Sequence, residues 1–141
     1  MQTSTTQDAI VLSAARWFWW IAGLSLVNTV LFHAGSDTNF AIGLGLTTLT
    51  NVLFAQQIAV SIAIAAVTIG FYFFVGLMAQ RERLWAFYLG LGVYALDALI
   101  YVRFEDWMPV AFHALACFYI GKGAMRLREQ QGGGKPDAAQ A

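Results

Sequence analysis

Residues 58–79 read IAVSIAIAAVTIGFYFFVGLMA, 22 consecutive residues without a charge and with only Ser61, Thr68 and Tyr72 as polar members. A helical span needs about 20 mainly apolar residues to cross roughly 30 Å of hydrocarbon. This run meets that requirement and sets the reading of the segments around it. Residues 84–102 form a second such run, broken by the single charge of Asp97. Residues 17–33 form a third, extended backwards by Ala14, Ala15 and Arg16, whose head group can snorkel. Residues 107–125 form a fourth, with Lys122 able to snorkel near its end.

Composition agrees with a chain dissolved in lipid. Hydrophobic residues make up 59% and aromatics 15% of the 141 residues, and charged residues only 11%. Soluble domains carry roughly 25% charged residues and need that polarity to cover their cores. The formal net charge of zero removes the basic field that nucleic-acid binding requires, so no nucleic acid is expected as a partner. The single cysteine, Cys117, excludes an intramolecular disulfide and multi-cysteine metal sites. The first apolar run is longer than a signal-peptide core, and no small-residue cleavage site follows in His33-Ala34-Gly35-Ser36. It reads as a retained helix.

Residues 40–55 are apolar too, but only 16 residues long. Ile42, Leu46, Leu49 and Leu53 fall on one helical face, with Thr47, Thr48, Thr50 and Asn51 mostly elsewhere. That pattern predicts an amphipathic helix in the membrane interface or packed on the bundle, over about 38–55. Ser36, Asp37, Thr38 and Asn39 offer N-caps for it, and Thr5 with Asp8 has capping-box spacing ahead of the first helix. Gly43 and Gly45 lack the flanking motif of a phosphate loop.

Charge counting favours four spans over five. With the N-terminus in the cytoplasm, Arg16, Arg81, Arg83, Lys122, Arg126, Arg128 and Lys135 share the cytoplasmic side, and only Arg103 falls outside. The expected fold is therefore all-α. It is a four-helix transmembrane bundle in one domain, 1–129, with spans at 14–34, 57–80, 84–104 and 107–125 and the interfacial helix between the first two. A disordered cytoplasmic tail is expected over 130–141, which contains Gly132-Gly133-Gly134. The short connections at 80–83 and 103–106 make the spans they join antiparallel neighbours. Trp17, Trp19, Trp20, Trp85 and Trp107 lie near span ends, as an interfacial belt requires. Ala59, Ala63, Ala66 and Gly70 make a small-residue stripe, and Ala86 with Gly90 a second, both suited to close helix contact, within the monomer first and between subunits second.

Chemistry can come only from a few intramembrane polar residues. A carboxylate at membrane depth is unfavourable by about 2.5–3.5 kcal/mol and persists with a partner or a role. Asp97 lies roughly 10 Å from the outer end of its span at about 1.5 Å per residue. His113 and Asn28 come to nearly the same depth on two other helices. Tyr94, Asp97 and Tyr101 share a helical stripe, so Asn28, Tyr94, Asp97, Tyr101 and His113 form the predicted polar cluster, with an Asp97–His113 hydrogen bond at its centre. Interhelical glue is the first reading of such a cluster. Proton-coupled or small-solute transport through Asp97 and His113 is the second. Haem or metal binding through His113 is the third, although no His-x-x-x-His or Glu-x-x-His spacing accompanies it. No nucleophile or oxyanion donor is identifiable, so no catalytic residue is assigned and no cofactor is expected.

The segments Tyr94-Ala95-Leu96-Asp97, Asp106-Trp107 and Phe112-His113 resemble a pattern in small uncharacterised bacterial four-span membrane proteins. The resemblance covers about half the chain and implies a bacterial inner-membrane location without implying an activity. Small multidrug transporters of similar length carry a glutamate in the first span, which this chain lacks. The expected role is that of a non-enzymatic accessory subunit or self-associating bundle. Its partners are the lipid bilayer and either a membrane-protein partner or a second copy.

Overall fold

The computed structural model describes residues 8–37 and 43–133, and these are all helix, turn or loop. Five helices follow in order: α1 (Ala9–His33), α2 (Gly45–Leu53), α3 (Ile58–Gln80), α4 (Leu84–Arg103) and α5 (Trp107–Gly133). The four long helices close into a ring, α1 packing on α3 and α5 while α4 also packs on α3 and α5. The short α2 fits between α1, α3 and α4 at one end of that ring. The tail expected to begin at 130 begins as helix, because α5 continues to Gly133. Residues 134–141 lie outside the described residues.

Among the described residues three helices, α1, α3 and α4, are long and apolar enough to cross a membrane, one fewer than expected. The correction falls on 107–125. Trp107, Pro109, His113, Tyr119 and Lys122 dilute its apolar character, and Arg126, Arg128 and Glu129 follow in the same helix. Its place depends instead on a packing stripe. Pro109, His113, Ala116, Ile120, Gly123 and Leu127 are buried at spacings near 3.6 against α1 and α4.

Hairpin geometry at both helical turns has one cause. Beyond α3, Glu82 adopts φ 59° while its N–H bonds Ala79 O at 3.0 Å and Arg83 N–H bonds Met78 O at 3.1 Å. Beyond α4, Glu105 adopts φ 58° while its N–H bonds Val102 O at 3.1 Å and Asp106 N–H bonds Tyr101 O at 3.0 Å. These paired bonds satisfy the last carbonyls of each helix and reverse the chain within four residues. Gly35 makes the same closure after α1.

The core is aromatic. Phe18 lies 6.1 Å from Phe87 and 6.4 Å from Tyr72, ring centre to centre. Gly90 admits this cluster, since a Cβ there would overlap the Phe18 ring. Ala86 and Gly90 thus serve close packing within the chain, as expected. The Ala59, Ala63, Ala66 and Gly70 stripe does not. All four are exposed, and nothing approaches within 4 Å of where a Cβ on Gly70 would sit.

Asp8 is the N-cap of α1, accepting from Ile10 N–H at 2.8 Å; Thr5, its expected capping-box companion, lies outside the described residues. The other Asp8 oxygen accepts from Arg126 Nε and Gln130 Nε2, each at 2.9 Å. Gln131 Nε2 donates to Glu82 O at 2.9 Å. The start of α1, the α3–α4 turn and the end of α5 therefore share one end of the molecule. The Arg126 guanidinium, then the backbone N–H groups, hold the Asp8 carboxyl below its ordinary value of 3.8. A depressed carboxyl stabilises the fold above its ordinary pKa and loses that contribution as pH falls through the depressed value. Thermal melts of Arg126→Gln should therefore fall below those of the parent at neutral pH and converge with them in acid below the ordinary carboxylate range.

Candidate functional site

The site forms where α2 enters the ring. An α-helix leaves its first N–H groups without intrahelical partners, and here that end is buried. Leu44, the residue before α2, has no side chain that can cap. The caps come from elsewhere in the chain. Gly45 N–H donates to Asp97 Oδ2 at 2.6 Å, and Leu46 N–H donates to Asp97 Oδ1 at 2.8 Å. Leu44 N–H donates to Ser25 Oγ at 2.8 Å, while the Ser25 hydroxyl donates to Ile21 O at 2.7 Å. The helix dipole adds to these bonds by favouring negative charge at this position. The expected caps at Ser36 and Asp37 are not the ones used, and Thr38 and Asn39 lie outside the described residues.

His113 completes the carboxylate's surroundings. Its Nε2 lies 3.0 Å from Asp97 Oδ2 and its Nδ1 2.9 Å from Pro109 O. A carbonyl only accepts, so Nδ1–H donates to Pro109 O. One proton then lies between Nε2 and Oδ2, and the pair is neutral overall wherever that proton sits. Two backbone donors on the carboxylate favour the arrangement in which His113 Nε2–H donates to an anionic Asp97. Tyr94 stacks on the imidazole with ring centres 4.1 Å apart and planes 16° apart, and Tyr101 flanks it at 5.3 Å. His113 is fully buried and the Asp97 side chain 5% exposed.

Tyr101 also reaches α2. Its hydroxyl donates to Gly43 O at 3.3 Å and lies 3.4 Å from Thr48 Oγ1. Gly45 makes this approach feasible: a Cβ there would stand 2.9 Å from Tyr101 Cε2 and 3.2 Å from Asp97 O. On the opposite side of α2, Ser61 Oγ donates to Asn51 Oδ1 at 2.8 Å. With its only proton used, Ser61 Oγ accepts from His33 Nε2–H at 3.3 Å.

Four of the five sequence-predicted residues, Tyr94, Asp97, Tyr101 and His113, come together as one cluster. The fifth, Asn28, is buried on α1 and lines a cleft of about 390 Å³ with Phe32, Ser36, Asp37, Thr48 and Asn51. Sequence reasoning missed Ser25, Asn51, Ser61 and the Gly45 and Leu46 amides. The signal for the amides was present, since a glycine at the start of a short helix marks a site of close backbone approach. Their acceptor could not be seen because Asp97 lies 52 residues from Gly45. Tyr72, beside Tyr94 with ring centres 6.2 Å apart, carries a buried hydroxyl that lacks a hydrogen-bond partner among the described residues.

Among the described residues no group of three or more His, Cys, Asp or Glu side chains is arranged to hold a metal ion. No family model, curated protein or solved structure matches the chain.

Breaking a buried, hydrogen-bonded charge pair typically removes about 3–5 kcal/mol. Asp97→Asn should lower stability by that order and raise hydrogen exchange at the amides of residues 44–46, read by mass spectrometry. Tyr72→Phe should do the reverse, raising the melting temperature by removing an unsatisfied buried donor, an effect of about 1 kcal/mol.

Proposed function

We propose that this chain is a non-enzymatic multi-pass protein of a bacterial inner membrane, with the Asp8–Arg126 end in the cytoplasm, and that it works by association with another membrane helix. The observation that carries this reading is that the polar cluster is consumed by the fold. Asp97 receives Gly45, Leu46 and His113, and His113 gives its other N–H to Pro109. A general base or a transport carboxylate needs an unoccupied side toward its substrate. A metal ligand needs an imidazole lone pair, and both ring nitrogens of His113 are engaged. The cluster therefore acts as glue that ties α2 to α4 and α4 to α5, the commonest use of polar groups between membrane helices.

The association face is α3. Its exposed Ala59, Ala63, Ala66 and Gly70 stripe lets a second backbone approach closely, whether from a second copy or from a partner subunit. The orientation follows from the positive-inside tendency of Arg16, Arg81, Arg83, Lys122, Arg126 and Arg128.

Purification in mild detergent with mass measurement of the intact complex tests this. A homo-oligomer or a stoichiometric partner is expected, and Gly70→Leu should dissociate it while the helical circular dichroism is retained. A strictly monomeric parent protein would overturn the reading. So would pH-dependent flux in liposomes that Asp97→Asn abolishes without unfolding the chain, which would favour proton-coupled transport.

A further inference from the structure

On the Asp8 side of the molecule, α1 and α5 leave an open groove of about 580 Å³. Ile10 of α1 and Phe118, Gly121, Met125 and the half-buried Cys117 of α5 line it. Gly121 contributes no side chain to the lining, and a Cβ there would meet only Leu91 Cδ2 at 3.9 Å. Three charged residues stand at the mouth: Lys122, Arg126 and Glu129. Two of them are committed to other partners, Arg126 bonding Asp8 at 2.9 Å and approaching Glu129 at 4.0 Å. Lys122 has no ion pair among the described residues and leaves one uncompensated cation over an apolar trough.

The level of this cation in the structure is well defined. Gly123 packs directly on Ala14, so Lys122 stands level with the residues just before Arg16. Trp17 stacks on Tyr119 with ring centres 5.5 Å apart and planes 9° apart. Aromatic rings with snorkelling Lys and Arg mark the head-group layer of a bilayer. An apolar trough at such a layer, with one cation at its mouth that has no ion pair among the described residues, matches a lipid that has a hydrocarbon chain and a negative head.

We propose that this groove seats one anionic phospholipid, its phosphate against Lys122 and the upper part of one acyl chain passing over Gly121 and Phe118 toward Cys117. The site is independent of the Asp97 cluster and of any oligomeric state. It distinguishes lipids by charge, because a zwitterionic lipid offers the same chain without the net attraction to Lys122.

Cys117 is the only cysteine in the chain, so a thiol reagent reports the groove alone. The full-length protein in detergent micelles would be treated with a maleimide, with added phosphatidylglycerol or phosphatidylcholine of matched chains. Phosphatidylglycerol should slow labelling about fivefold more than phosphatidylcholine, the factor one cation near the surface contributes toward anionic lipid. Lys122→Gln should erase that preference while leaving the phosphatidylcholine result unchanged, and Lys122→Arg should retain it. Equal protection by the two lipids overturns the proposal, as does a preference that survives Lys122→Gln. A Cys117 that does not react in lipid-free micelles also overturns it, since the groove would then be closed.

Discussion

The carboxylate of Asp97 on the first amides of α2 is the contact on which the rest of this structure depends. A nine-residue helix has little stability of its own, and burying its N-terminus adds N–H groups that water cannot reach. Two of those groups end on one carboxylate, which itself could not be buried without donors. Each group thus removes the penalty of the other. His113 then supplies the charge balance, and Pro109 O orients the imidazole by taking its second proton. The unit draws on α2, α4 and α5 at once, so it also sets how those helices meet.

Lipid as the solvent explains the way α2 is turned. Thr47, Thr50 and Asn51 face inward and are buried, while Leu46, Val52 and Leu53 are exposed. This inverts the arrangement of a soluble amphipathic helix. Where the surroundings are as apolar as leucine, burying leucine yields little, and polar side chains turn inward to the only partners that exist. The same solvent accounts for the outward Phe73, Phe74 and Val67 of α3. In that setting specificity rests on a small number of polar contacts and on close aromatic packing such as Phe18 against Phe87.

Much of the site was legible from depth alone. Asp97 and His113 lie at matching distances from a four-residue turn, and two antiparallel helices joined by so short a connection must bring equal depths together. That argument needs only the 1.5 Å rise of a helix. It is weaker for residues separated by longer connections, and Asn28 shows this, since it faces a cleft with Asn51 and Thr48. The cap of α2 was sought among its neighbours in sequence, where such caps usually occur. It came from another helix because that end of α2 is buried rather than solvated. Counting spans by apolar length also overstated 107–125, whose residues owe their place to packing against α1 and α4.

What the sequence determined by itself was the class of solvent, the helical state and the tight hairpins. Apolar length, low charge and four-residue connections follow from composition and covalent geometry. The tertiary structure decided which polar groups meet. It joined Asp97 to Gly45 across 52 residues, placed Ser61 between Asn51 and His33, and left the alanine stripe of α3 facing outward. The physical reason is that a buried hydrogen bond requires a position in three dimensions, whereas helical propensity and hydropathy constrain only position along the chain.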